Sequence, residues 1–106
     1  MTLPLAALTR WYTAHCDGAW EHHNGISIRS LDNPGWWVTI DLRGTPLEYR
    51  LFTAIAEGVD AGGHPKAKRW IQCHVQNGTW HGTGDETRLD EILRRFLDWA
   101  SPDRKS

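Results

Sequence analysis

Apolar positions follow two different periods along this chain. Near the start, Leu5, Leu8, Tyr12 and His15 recur at the spacing of one helical stripe, which predicts a helix from about Leu3 to His15. Thr2 can cap it, Pro4 is tolerated in its first turn, and Gly18 in the Cys16-Asp17-Gly18 stretch can take the positive backbone angle that closes a helix. Ala19 to Asn24 is polar and aromatic without a clean period and is expected to be a loop. After the Asn24-Gly25 turn the period drops to two, with Ile26 and Ile28 alternating with Ser27 and Arg29 as in a half-buried strand.

Asn33-Pro34-Gly35-Trp36 has the residues of a type II turn, proline at the first central position and glycine at the second, so a hairpin is expected there. In its second strand Trp36, Val38, Ile40 and Leu42 share one face and Trp37, Thr39 and Asp41 the other. A tryptophan on each face implies a sheet covered on one side and used or partly covered on the other. Residues 45–58 carry two patterns: Thr45-Pro46-Leu47-Glu48 has the form of a capping box, while Leu51, Thr53 and Ile55 alternate with Phe52, Ala54 and Ala56. The second pattern favours a loop followed by a strand near Leu51 to Glu57.

Val59 to Lys68, with Gly62-Gly63 and Pro65, is a connection, and Trp70 to Gln76 alternates again, with Ile71, Cys73 and Val75 on one face. Asn77-Gly78 is a strong two-residue hairpin signal leading into a strand from Thr79 to Thr83. Thr87 and Asp90 form a cap-like pair, and Leu89, Ile92, Leu93, Phe96, Leu97 and Trp99 trace an amphipathic helix to about Ala100, stopped by Ser101-Pro102. The expected fold is therefore α+β: an N-terminal helix, an antiparallel sheet of about four to five strands, and a C-terminal helix packed on one face.

The length of 106 residues admits one domain spanning 1–106 with a single core. Twelve Lys and Arg against thirteen Asp and Glu give no bulk field for nucleic acid or an anionic membrane, so neither partner is expected. The Leu3 to Leu8 run lacks a basic leader and is too short to span a bilayer, and two distant cysteines without CxxC spacing fit reduced thiols; the expected compartment is the cytoplasm. Seven Trp is the outlying count. Core packing is the default for Trp11, Trp70, Trp80 and Trp99. Trp20, flanked by Asp17, Glu21 and His22, suits either a protein-binding anchor or a second core layer under the helices.

Candidate chemistry is thin. His15-Cys16, His22-His23 and Cys73-His74 contain metal-ligand residues but no short knuckle, and adjacent residues in a strand point to opposite faces. No metal or cofactor is expected. Cys16 or Cys73 beside an imidazole would be needed for thiol catalysis, yet Cys73 alternates in phase with Ile71 and Val75, as a core residue does. Asp17, Glu21 and Asp41 could pair for acid-base work, but loop carboxylates more often cap turns. The glycines lack phosphate-loop spacing, and Lys66, Lys68 and Arg69 read as a solvated loop.

Taken in order, Trp11-Tyr12, CDGAWEH (Cys16 to His22), GISI (Gly25 to Ile28), LDNPGW (Leu31 to Trp36), IDL (Ile40 to Leu42), GTPLE (Gly44 to Glu48), W-x-x-C-x-V (Trp70 to Val75) and LDEILRRFLDW (Leu89 to Trp99) resemble the immunity protein 53 family of bacterial polymorphic toxin systems. The resemblance implies an inhibitor, not an enzyme, that binds and neutralises a cognate secreted toxin in the producing cell. It departs from the family pattern in the longer, more basic loop Val59 to Arg69 and at His23, where an aromatic ring is expected. Combined with the spare aromatics, it places the toxin-facing surface at Asp17, Trp20, Glu21 and His22 with Trp36 or Trp37. The classes left open are a small metal- or thiol-dependent enzyme and a ligand-binding sheet module.

Overall fold

A computed structural model describes residues 3–101. The elements are α1 (Pro4–His15), α2 (Trp20–His23), β1 (Ile26–Leu31), β2 (Gly35–Asp41), β3 (Ile55–Glu57), β4 (Ile71–Gln76), β5 (Thr79–Asp85) and α3 (Leu89–Ala100). All sheet pairings are antiparallel, in the order β1-β2-β5-β4-β3. This is the expected α+β fold, with one addition: the segment expected as a loop contains the single helical turn α2. The expected cap Thr2 and the stop at Pro102 lie outside the described residues.

The core lies between the sheet and the helices. Val38, Ile40 and Leu42 from the β2 side, Ile71 and Cys73 from β4, Trp80 from β5 and Ile92 and Phe96 from α3 have no solvent exposure. Alternation alone assigns these strand residues to one face, and α3 covers them with the stripe its sequence predicts. Close approach depends on Gly82, where an added Cβ would sit 2.5 Å from Ile92 Cγ2 and 2.6 Å from the Trp80 ring. α1 then packs against α3, with the Trp11 ring edge-on to Phe96 at 5.1 Å. Trp80 and Trp99 are buried as expected, whereas Trp70 is only half-buried at the entrance to β4.

Four local expectations change. Leu5 is 61% exposed, and Trp11 takes its place beside Leu8 on the buried side of α1. The β1–β2 turn is made by residues 32–34, since Gly35 already pairs with Leu31; Gly35 has no positive φ and is glycine because a Cβ would lie 2.5 Å from the Gly84 carbonyl oxygen. β3 starts at Ile55 rather than Leu51, because the chain before it is tied to α3 instead of β4. α3 has Arg88 at its N-cap position with no side-chain cap, and Thr87 bonds to Asp85 rather than forming the expected pair with Asp90. At the other hairpin, Asn77 and Gly78 both have positive φ (54° and 75°), as a type I′ turn demands.

Candidate functional site

Asp17 and Glu21 organise the turn after α1 by reciprocal bonds. The Asp17 carboxylate accepts the backbone N–H groups of Ala19 and Trp20 at 3.0 and 2.9 Å, while the Glu21 carboxylate accepts those of Asp17 and Gly18 at 3.0 and 2.9 Å. The donors otherwise left over at a helix start are thus satisfied from both directions. The Trp20 and then the Ala19 N–H hold the Asp17 carboxyl below its ordinary range; Glu21 is lowered by its own N–H first and, against the opposing effect of burial, by those of Asp17 and Gly18. Both groups therefore keep their charge on an exposed turn.

Of the two readings open for Trp20, the structure selects the second core layer. Its ring is 7% exposed, donates its indole N–H to the Arg43 carbonyl at 2.7 Å, and lies against Trp11, Tyr12 and His15 with centroids 6.1, 5.9 and 5.7 Å away. Trp20 is thus a buried post linking the turn to the loop after β2, and His22 beside it is exposed. Gly44 completes the contact, since a Cβ there would come within 3.1 Å of the Trp20 ring.

Trp36 and Trp37 do not join this group. Trp36 faces the core side and donates its indole N–H to the Glu86 carbonyl at 3.0 Å, at the far end of β2 from Arg43. Seven residues of extended chain separate those ends, about 23 Å at ~3.3 Å per residue. Trp37 points to the open face of the sheet, where Arg29 lies 5.7 Å from its centroid and its indole N–H reaches His81 Nδ1 at 3.4 Å. His81 in turn stacks on His74 at 4.9 Å. Burial and then the neighbouring His74 push the His81 imidazole below its ordinary value. The six expected site residues thus occupy three places. The row Arg29, Trp37, His81, His74 was missed because it exists only once the strand order is known, although each member alternates onto the Trp37 face of its own strand.

Asp85 was also missed. It is 1% exposed and accepts hydrogen bonds from the Trp70 N–H, the Thr87 N–H and hydroxyl, and Arg88 Nε, with Arg69 3.7 Å away. Burial alone would raise its carboxyl, but the Thr87, Trp70 and Arg88 donors outweigh that and hold it far below the carboxylate range. Its role is to join β4, β5 and α3 at one corner.

The thiols have settled roles. Cys73 is fully buried, and desolvation pushes its pKa up to about 12, so it stays protonated at neutral pH. Cys16 is half-buried with Sγ 3.3 Å from the Tyr12 carbonyl oxygen, as a weak donor closing α1. Among the described residues no group of three or more His, Cys, Asp or Glu is placed to hold a metal ion, and no helix is long and apolar enough to cross a membrane.

Comparison with curated proteins and with solved structures returns no match. Comparison with protein families does: the match to the family described as Immunity protein 53 runs over residues 5–101, from the first turn of α1 to the residue after α3, and the chain belongs to that family.

Proposed function

We propose that this protein is an immunity protein that neutralises a cognate secreted bacterial toxin by direct binding in the cell that produces it. The observation that carries the reading is the family match across residues 5–101. The structure is compatible with the physical demands of the task. An inhibitor needs a rigid scaffold with fixed surface groups, and here even the exposed turn carboxylates are immobilised by paired backbone bonds.

The toxin-facing surface is centred on the Asp17 to His22 turn. Asp17 and Glu21 contribute fixed negative charge and His22 an exposed imidazole, while Trp20 supports the turn from below. Trp36 sits at the opposite end of β2, and Trp37 faces the other side of the sheet, so neither belongs to this patch.

The test is co-expression with a candidate cognate toxin in a sensitive host. Growth is expected to be restored, and the two proteins should co-purify as a stoichiometric complex. Toxicity that persists in the presence of folded protein, with no complex recovered, would falsify the reading. His22→Ala should weaken the complex without altering the unfolding curve.

A further inference from the structure

We propose that the free edge of β1 is a self-recognition surface, through which two copies of this chain pair β1 to β1, antiparallel, about a two-fold axis at Ile28, so that their sheets continue into one another. β1 ends the sheet on one side and β3 on the other, and the two edges are not equivalent. β3 is three residues long, whereas β1 runs for six in an unbroken one-to-one register against β2. Shortness, proline, lysine and bulges are devices that ordinarily blunt an edge, and β1 has none of them. Its one charge, Arg29, is drawn inward over the Trp37 ring of β2.

Backbone direction fixes which groups are free. The Asp41 N–H donates to the Gly25 carbonyl at 3.0 Å, and the register continues that narrow pair to Ser27–Thr39, Arg29–Trp37 and Leu31–Gly35. The N–H and C=O groups of Ile26, Ile28 and Ser30 therefore point away from β2, and among the described residues none hydrogen-bonds to them. Outward amides and carbonyls at every second residue are the complement of an extended strand. Beside this row, on the helix side of the sheet, Leu5, Leu8 and Tyr12 of α1 line an apolar groove with Ile26 and Ile28, and Leu5 and Ile28 are 61% and 38% exposed.

β1 is complementary to itself in one register. A two-fold axis normal to the sheet keeps each face on its own side, and with that axis at Ile28, Ile28 faces Ile28 of the second copy while Ile26 faces its Ser30. Every residue with outward groups then sits in a narrow pair that exchanges two bonds. The two Ile28 side chains come within about 5 Å of each other beside the groove they help to line, and on the open face Arg29 meets Ser27. No like charges are opposed. Moving the axis to Arg29 sets Arg29 against Arg29 and leaves Ile26 without a partner in the strand; moving it to Ser27 leaves Ser30 without one. A strand of another protein would meet the same backbone groups, but a second copy brings its own isoleucine to the groove and leaves Arg29 unopposed.

The experiment combines sedimentation equilibrium over a concentration series with amide hydrogen exchange, on wild type, Ile28→Pro and Ile28→Lys, each with an unfolding curve. Proline removes an outward N–H and leaves the β1–β2 bonds in place; lysine opposes two like charges on the axis. Wild type is expected to dimerise as concentration rises, with the amides of Ile26, Ile28 and Ser30 slowed by about tenfold or more in the dimer, while those of Ser27 and Arg29 are protected at every concentration. Each folded variant should dimerise more weakly by on the order of 100-fold. Should neither variant fold, the exchange pattern of wild type decides alone. A wild type that stays monomeric up to about 1 mM, where association is worth only ~4 kcal/mol, would overturn the proposal. So would a dimer that leaves those three amides fast, or one that a folded variant keeps within about threefold of wild type. Protection of the same amides only on addition of a candidate toxin would also overturn it, by assigning the edge to that partner.

Discussion

Two turns at opposite ends of the sheet are built by carboxylates and differ in almost every consequence. At the corner between β5 and α3, Asp85 is 1% exposed and gathers donors from Trp70 at the entrance to β4 and from Thr87 and Arg88 in the turn into α3. In the turn between α1 and β1, Asp17 and Glu21 are satisfied entirely by donors within four residues of themselves. The first carboxylate is a tertiary joint, and the second pair is a local clasp. Removing a buried acceptor strands its donors away from water, whereas donors in an exposed turn are rehydrated. The same residue type thus stabilises the whole fold in one place and merely shapes a surface in the other.

The largest effect is expected from Asp85→Ala. It leaves the Trp70 and Thr87 amides without their acceptor and strips Arg88 of a buried partner, a combination that costs about 3–5 kcal/mol. Urea unfolding monitored by tryptophan fluorescence measures this; a loss under about 1 kcal/mol would mean that the corner is not a joint. The pH dependence follows with its sign. The folded Asp85 carboxyl is depressed below the unfolded value of about 3.9, so its stabilisation is complete above that value and is lost as pH falls from there toward the folded pKa. Wild type should lose stability in acid from about pH 4 downward, and Asp85→Asn should flatten that slope.

Gly84→Ala tests the same corner by packing alone. A Cβ at this position would lie 2.8 Å from Arg88 Cβ and 3.2 Å from Ile92 Cδ1, so α3 must move away from β5, at a cost of about 1–3 kcal/mol. If the carboxylate joint is rigid, the shift also lengthens the Asp85–Arg88 contact, and the effects of Gly84→Ala and Asp85→Asn should be less than additive in a double-mutant cycle. Strict additivity would separate the packing from the joint.

The contrast between the ends also explains what could be read before the structure. Local features were legible: the α3 stripe, the Asn77-Gly78 hairpin, Cys73 in phase with Ile71 and Val75, and the tendency of Asp17 and Glu21 to cap a turn all depend on near neighbours. Features that require strand order or distant partners were not. Asp85 ends a strand in sequence, and the donor that makes it a tertiary joint is the Trp70 amide fifteen residues before it. Trp20 has a polar, acidic neighbourhood in sequence but a ring environment drawn from α1 and the loop at Arg43. The alternation across residues 51–56 indicated a strand from Leu51, yet could not show that Trp99 would capture its first half and leave β3 to begin at Ile55.

The smallest stability effect is expected at the local clasp, and it separates folding from recognition. Asp17→Ala removes the acceptor for the Ala19 and Trp20 amides, but these are at an exposed turn, and Glu21 continues to hold the amides of residue 17 and Gly18. The urea midpoint should fall only slightly, with the slope unchanged, because the surface exposed on unfolding is the same. The change should appear instead in hydrogen exchange, as faster exchange confined to Ala19 and Trp20 while the amides of β5 and α3 keep wild-type protection. Loss of protection across the sheet would show that the turn is coupled to the core through Trp20 and Arg43. In that event this end of the molecule would be a second tertiary joint, and the contrast with Asp85 would fail.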